Sequence, residues 1–117
     1  MSVSVITAQE LLGLFELDEA GKVLYYRMDS AGEPSGMSPD IIGRNFYSEV
    51  AGFENVEEFR QCVAEFTRSD TAADSFEFEC RYGDFAQRIK VLLARIRESV
   101  NRNNTKSVLV YLKRKEH

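Results

Sequence analysis

Between Ser75 and Tyr82 every second residue is apolar: Phe76, Phe78, Cys80 and Tyr82 alternate with Ser75, Glu77, Glu79 and Arg81. A period of two sends successive side chains to opposite faces of an extended chain, so this segment predicts a half-buried strand with one wet face. The dry face of such a strand needs a cover. That cover is expected just upstream, where Val56, Phe59, Cys62, Val63 and Phe66 recur at helical spacing behind a candidate capping pair, Asn55 and Glu58. The stripe reads as core against a sheet rather than as a cofactor box.

The period-two signal recurs on both sides of this unit. From Leu12 to Asp18, Phe15 and Leu17 fall on one side and Leu14 and Glu16 on the other. Asp18-Glu19-Ala20-Gly21 predicts a turn, and Lys22 to Arg27 a second strand with Leu24 and Tyr26 on one face. Asp29 to Gly36 reads as a loop, Ser38 and Pro39 open a short helix that Gly43 ends, and Asn45 to Val50 gives another short turn. A strand from about Gln87 to Arg97 is apolar on both faces near Leu92 and Leu93, which predicts a central position. Glu98 to Lys106 reads as a loop and Ser107 to Lys113 as the last strand, while Thr7 and Glu10 suit an N-terminal helical turn. The fold class is therefore α+β: a five-stranded antiparallel sheet with short helices and one longer helix on one face. One domain is expected over residues 1–117, with a short lead at 1–11 and a core at 12–114.

Several functions are excluded by what the chain lacks. Its 15 basic and 19 acidic residues are interspersed, so no one-signed field draws phosphate backbones, and no nucleic acid partner is expected. No apolar run approaches the ~20 residues that cross a bilayer, which predicts no membrane partner and a cytoplasmic location. Cys62 and Cys80 fall inside apolar patterns and are expected to be buried free thiols. The one histidine is His117, the last residue. Serine or cysteine nucleophiles activated by histidine, histidine-rich zinc sites and His-ligated haem all need an imidazole in the interior. The chain is not expected to be an enzyme. Tyr25, Tyr26 and Asp29 offer an acid and a base, but Asp29 borders a Gly/Ser/Pro loop and suits turn geometry. The pairs Glu57/Glu58 and Glu77/Glu79 fall on solvated faces, leaving no catalytic residue and no metal ligand to name.

A further pattern is carried by particular residues: Leu17-Asp18 before the first turn, Gly21-Lys22-Val23-Leu24 with Tyr26 after it, and Ile42-Gly43-Arg44-Asn45-Phe46-Tyr47 with Val50-Ala51. Glu58-Phe59, Phe76-Glu77-Phe78, and Val110 with Lys113-Arg114 continue it. In this order, from about Gly13 to Arg114, the chain resembles the PAS fold (profilin-like) and, within it, the photoactive yellow protein branch. The resemblance implies a concave sheet face that encloses, with the short helices, a pocket in which many PAS domains hold a ligand. In that branch a cysteine shortly after the Val-Ala pair holds a cinnamoyl pigment by a thioester, and here Phe53 stands in its place. Tyr26 matches the tyrosine that hydrogen-bonds the pigment, but Ser30 falls where a glutamate is expected and Met37 near where an arginine covers the pocket. The branch's N-terminal cap is mostly missing. The flavin-binding LOV branch carries Gly-Arg-Asn-Cys, whereas this chain reads Gly43-Arg44-Asn45-Phe46. A covalent cinnamoyl chromophore, a flavin-cysteinyl adduct and a His-ligated haem are thus all disfavoured.

Two functional readings follow. In the first, a sensory module binds a small apolar or aromatic ligand between walls formed by Phe15, Tyr26, Phe46, Phe53, Phe59 and Phe76, with Tyr26 and Ser30 as polar contacts. In the second, the same rings, each burying ~150–250 Å², simply fill the interior. The domain is then a ligand-free unit that forms a homodimer or docks a signalling protein through its outer sheet face, at Leu92, Ala94, Ile96, Leu109 and Tyr111. Whether the chain stands alone or is part of a longer sensor is open on these residues.

Overall fold

Five strands pair into one antiparallel sheet in the computed structural model, which describes residues 12–28, 41–98, 100 and 105–115. The turn expected at Thr7, the Asp29–Gly36 loop with Ser30, Met37, the Ser38–Pro39 helix start, most of the loop before β5, and His117 lie outside the described residues. The strands are β1 (Gly13–Leu17), β2 (Val23–Met28), β3 (Ala73–Tyr82), β4 (Phe85–Arg97) and β5 (Thr105–Arg114), in the spatial order β2-β1-β5-β4-β3. Because β2 and β3 are opposite edges, the chain between them travels from one side of the sheet to the other. It does so through a π-helical turn at Phe46–Val50 and the helix α1 (Val56–Arg68). This crossover is what covers the inner face.

The expected alternation sets the core. Phe15, Leu17, Val91, Leu93, Val110 and Leu112 are buried on the inner face, and α1 closes over them with Phe59, Val63 and Phe66. Phe76, Phe78, Cys80 and Tyr82 share the inner phase of β3, while Ser75, Glu77, Glu79 and Arg81 are exposed. Gly43 takes φ +90°, in line with its expected role of ending a helical turn. Gly21 also takes φ +90°, and a Cβ there would come within 2.6 Å of the Tyr47 ring, so the turn is doubly restricted to glycine.

Four details differ from the sequence expectations. The middle strand is β5, with β4 beside it, since position in a sheet depends on pairing between distant segments. The last strand starts at Thr105, two residues before Ser107, because Thr105 pairs with Arg97 past a register shift at Ile96. Leu24 does not share a face with Tyr26: a bulge pairs Leu17 with Val23 and Glu16 with Tyr25, which puts Val23 and Tyr26 inside and leaves Leu24 41% exposed. Asn55 makes no side-chain cap on α1. Its amide instead donates to the Glu79 carbonyl (2.8 Å) and accepts from the Arg81 N–H (3.0 Å), satisfying backbone groups on the open edge of β3.

Candidate functional site

The expected wall residues are brought together, but against one another. Phe15, Phe46 and Phe59 are fully buried and Phe53 nearly so. Ring centroids stand 5.1 Å apart for Phe15–Phe46, 6.1 Å for Phe46–Phe59, 5.8 Å for Phe53–Phe59 and 5.3 Å for Phe59–Phe78. These are the separations of tilted and edge-to-face aromatic contacts, which leave no room for a further ring between them. Tyr26 and Phe76 are half-buried and pack on the margin of this cluster. Tyr25 and Tyr26 point to opposite faces, as neighbours in a strand must, so they do not form a paired acid and base.

Phe53, which follows Val50-Ala51-Gly52, is buried at 3% exposure. Its ring meets Phe59 edge-on at 87° and Tyr82 at 82°, with Phe78 5.9 Å away. Phe46, which follows Gly43-Arg44-Asn45, is fixed between Phe15 and the Tyr47 ring. The two cysteines lie elsewhere and both are free. Cys80 is buried as expected, whereas Cys62 is half-buried. Burial pushes the Cys80 thiol up to about 12, partly offset by a hydrogen bond from the Tyr82 hydroxyl, so it is not a reactive thiolate at neutral pH.

Burial also raises the Tyr47 hydroxyl from 10.0 to about 12, opposed by the nearby Arg60 charge, and raises Tyr82. In each of these groups the folded state favours the neutral form. The resulting stability is complete below the unfolded values, 9.0 for Cys80 and 10.0 for Tyr47, and is lost as pH rises through about 12. Denaturant unfolding is therefore expected to give a stability lower by about 1 kcal/mol or more at alkaline pH than at neutral pH. A flat profile across that range would contradict the burial of these groups.

The outer face carries the second expected set. Leu92 lies opposite Tyr111, Ala94 opposite Leu109 and Ile96 opposite Ser107, and Leu14 continues the apolar surface from β1. Leu14, Ser75, Leu92, Ala94, Leu109 and Tyr111 line a shallow groove across β1, β5, β4 and β3, which Ile96 does not reach. Leu92 is 37% exposed, high for a leucine in an inner strand. Toward one end of the face the apolar surface gives way to charge, with Glu77 paired to Arg88 and Lys115 and the Lys113 ammonium over the Tyr111 ring. An apolar centre with a charged margin is the composition of a protein-contact surface.

Two features were not anticipated. Arg95 continues the inner phase of β4 after Ile89, Val91 and Leu93, and its guanidinium lies over the Phe66 ring, 4.9 Å from its centre. That phase was the available signal, since a cation at an inward position demands partners. The other feature is a cavity of about 610 Å³ between α1 and the end of the sheet where β1 leaves and β5 enters. Among the described residues no group of His, Cys, Asp and Glu is arranged to hold a metal ion, and no helix is long and apolar enough to cross a membrane.

No protein-family profile matches the chain. A photoactive yellow protein of Rhodothalassium salexigens is 33% identical over 84 residues, which cover 71% of this chain and 66% of that relative, a little under two thirds of its length. Among solved structures, the PAS domain of Bordetella pertussis BvgS superposes with a TM-score of 0.68 at 11% identity, over 91% of this chain and 78% of that one. The photoactive yellow protein domain of the sensor histidine kinase Ppr from Rhodospirillum centenum gives a TM-score of 0.58 at 20% identity, over 97% and 94% of the two chains. At such identities the two structures speak to fold alone, and the strand order, helical crossover and inner-face packing described above agree with them.

Proposed function

We propose that this chain is a PAS-type sensory domain resembling the photoactive yellow proteins, and that it relays a signal by protein contact, with its interior filled by its own aromatic rings. The observation that carries this reading is the ring cluster around Phe59, in which Phe46, Phe53 and Phe78 take up the volume between sheet and helices. With Phe53 and Phe46 at the two positions that need sulfur, the reading includes no cinnamoyl thioester and no flavin adduct, and it assigns no catalytic step. Two free thiols fit a reducing, cytoplasmic setting.

The outer face is the contact surface in this reading, and a second copy of the chain is its first-choice occupant. Burying Leu92, Leu109 and Tyr111 would remove an apolar surface that a lone domain leaves in water. The purified domain is expected to self-associate in sedimentation, and Leu92→Glu is expected to shift it to monomer while leaving the unfolding midpoint almost unchanged. A domain that stays monomeric at millimolar concentration would remove the homodimer. A signalling partner bound by the wild type and lost in Leu92→Glu would then keep the face, and neither result would sink the reading.

A second reading, a small apolar ligand on the inner face, draws support from the half-burial of Tyr26 and Phe76 at the cluster margin. Native mass and an absorption spectrum of the purified protein test it directly. A retained small molecule released only on unfolding would favour this reading over a ring-filled interior.

A further inference from the structure

The cavity between α1 and the β5 entrance lies away from the outer face and borders the ring cluster only at Tyr47. Its volume of about 610 Å³ falls inside the ~300–1,000 Å³ span of small-molecule sites. Leu17, Val63 and Val108, all buried, make an apolar floor. On the helix wall Ala64 leaves the middle of the cavity open, with Arg60 toward one end and Arg68 toward the other.

The two ends differ in what they offer. Arg60 is paired with Glu57, and the Asp18 carboxylate is occupied by the Ala20 and Lys22 N–H groups of its own turn. Beside Arg60 stands the Tyr47 hydroxyl, partly buried, facing the cavity and without a hydrogen-bond partner among the described residues. A hydroxyl so placed is a donor that a ligand in the cavity can use. At the far end Arg68, in the last turn of α1, and Lys106, near the start of β5, line the same space, and neither has an ion-pair partner among the described residues. Glu98, which also lines this end, has an interaction of its own, and Glu19 is exposed at the rim of the other.

We infer that this cavity binds a small amphiphilic carboxylate, its charged group held by Arg68 and Lys106, its apolar body lying on Leu17, Val63 and Val108, and a polar group at its far end accepting from Tyr47. Spacing sets the length. Arg60 and Arg68 are eight residues apart on α1, roughly 12 Å along the axis, which is about the extended length of a ten-carbon chain. Binding here is independent of the outer-face reading, and the failure of either leaves the other untouched.

The test uses ω-hydroxydecanoate, with decanoate, which lacks the hydroxyl, and 1,10-decanediol, which replaces the carboxylate by an uncharged hydroxyl, followed by amide chemical shifts in NMR titrations. Saturable shifts are expected at Ala20, Ala64, Thr67 and Lys106, with the hydroxy acid binding about tenfold tighter than the diol. The double variant Arg68→Gln, Lys106→Gln is expected to erase that preference while leaving the diol unaffected. Both positions are exposed, so the fold is kept. Tyr47→Phe is expected to weaken the hydroxy acid several-fold and to leave decanoate unchanged, a difference that a merely structural role of the ring would not produce. Absence of saturable shifts at millimolar probe, shifts centred on Leu92 and Tyr111, or equal binding of acid and diol would each overturn the inference.

Discussion

Replacing Phe59 by alanine is expected to destabilise the domain by about 3–5 kcal/mol, the range for removing a fully buried aromatic ring. Phe59 is at 0% exposure and its ring meets four others, Phe46, Tyr47, Phe53 and Phe78. The loss has two parts: the transfer energy of the ring and the cavity left among neighbours that cannot all collapse. Domains of this size have roughly 5–15 kcal/mol in total, so the variant is expected to remain folded with a much lower urea midpoint and an unchanged slope. The measurement also bears on function. A cost below about 1 kcal/mol would mean that the site is already loosely packed, and a ring-filled interior would no longer be a sound basis for a ligand-free relay.

The same rings show where sequence reasoning ends. That Phe15 and Phe59 face inward follows from strand phase and helical spacing, both local properties, whereas Phe46 and Phe53 sit in a short turn and in the coil after it, where no such period applies. Whether they line a space or fill it depends on centroid distances of 5–6 Å between segments remote in sequence, and both arrangements give the same alternation. The sheet as a whole was legible because β3 alternates cleanly and the segments that became β4 and β5 are strand-length apolar runs bounded by polar stretches. β2 was legible only in part: its bulge moves Leu24 out of phase, and an apolar residue at a bulge looks like one in a strand. Asn55 misled for a related reason. Its spacing to Glu58 suits a helix cap, but the edge of β3 presents an unpaired N–H and carbonyl at the same place, and the amide serves those instead. The outward phase of Leu92, Ala94, Leu109 and Tyr111 was legible, since it needed only the alternation of two strands and not their register; Ile96, expected with them, lies outside the groove, and Leu14 of β1 joins it through a pairing that the alternation does not reveal.

Arg95 shows how a single inward charge can fasten this architecture, and Arg95→Met is expected to lower stability by about 2–4 kcal/mol. All five of its guanidinium N–H groups are used. Nε donates to the Thr71 carbonyl (3.1 Å), one terminal nitrogen to the Thr67 carbonyl (3.1 Å) and the Thr105 hydroxyl (2.8 Å), and the other to the carbonyls of Phe66 (2.7 Å) and Ser69 (2.9 Å). Phe66 and Thr67 belong to the last turn of α1, where carbonyls lack intrahelical partners and where a positive charge is favoured by the helix dipole. One side chain on β4 thus fastens the end of α1, the segment leading to β3 and the start of β5. Methionine keeps much of the packing against Phe66 and removes every donor; the Phe66 carbonyl keeps its bonds from the Ser69 N–H and hydroxyl, while those of Thr67, Ser69 and Thr71 must find water or stay unpaired. Lysine keeps the charge but not the planar fork, and Arg95→Lys is expected to recover less than half of the loss. Arg60→Gln, which breaks an exposed pair with Glu57, is expected to cost under about 0.5 kcal/mol. Hydrogen exchange separates this account from general loosening: protection in Arg95→Met should fall first at the end of α1 and at Thr71, with the β1–β5 ladder retaining its own. Uniform loss of protection across the sheet would mean that Arg95 supports the core as a whole and does not act as a fastener between α1 and β4.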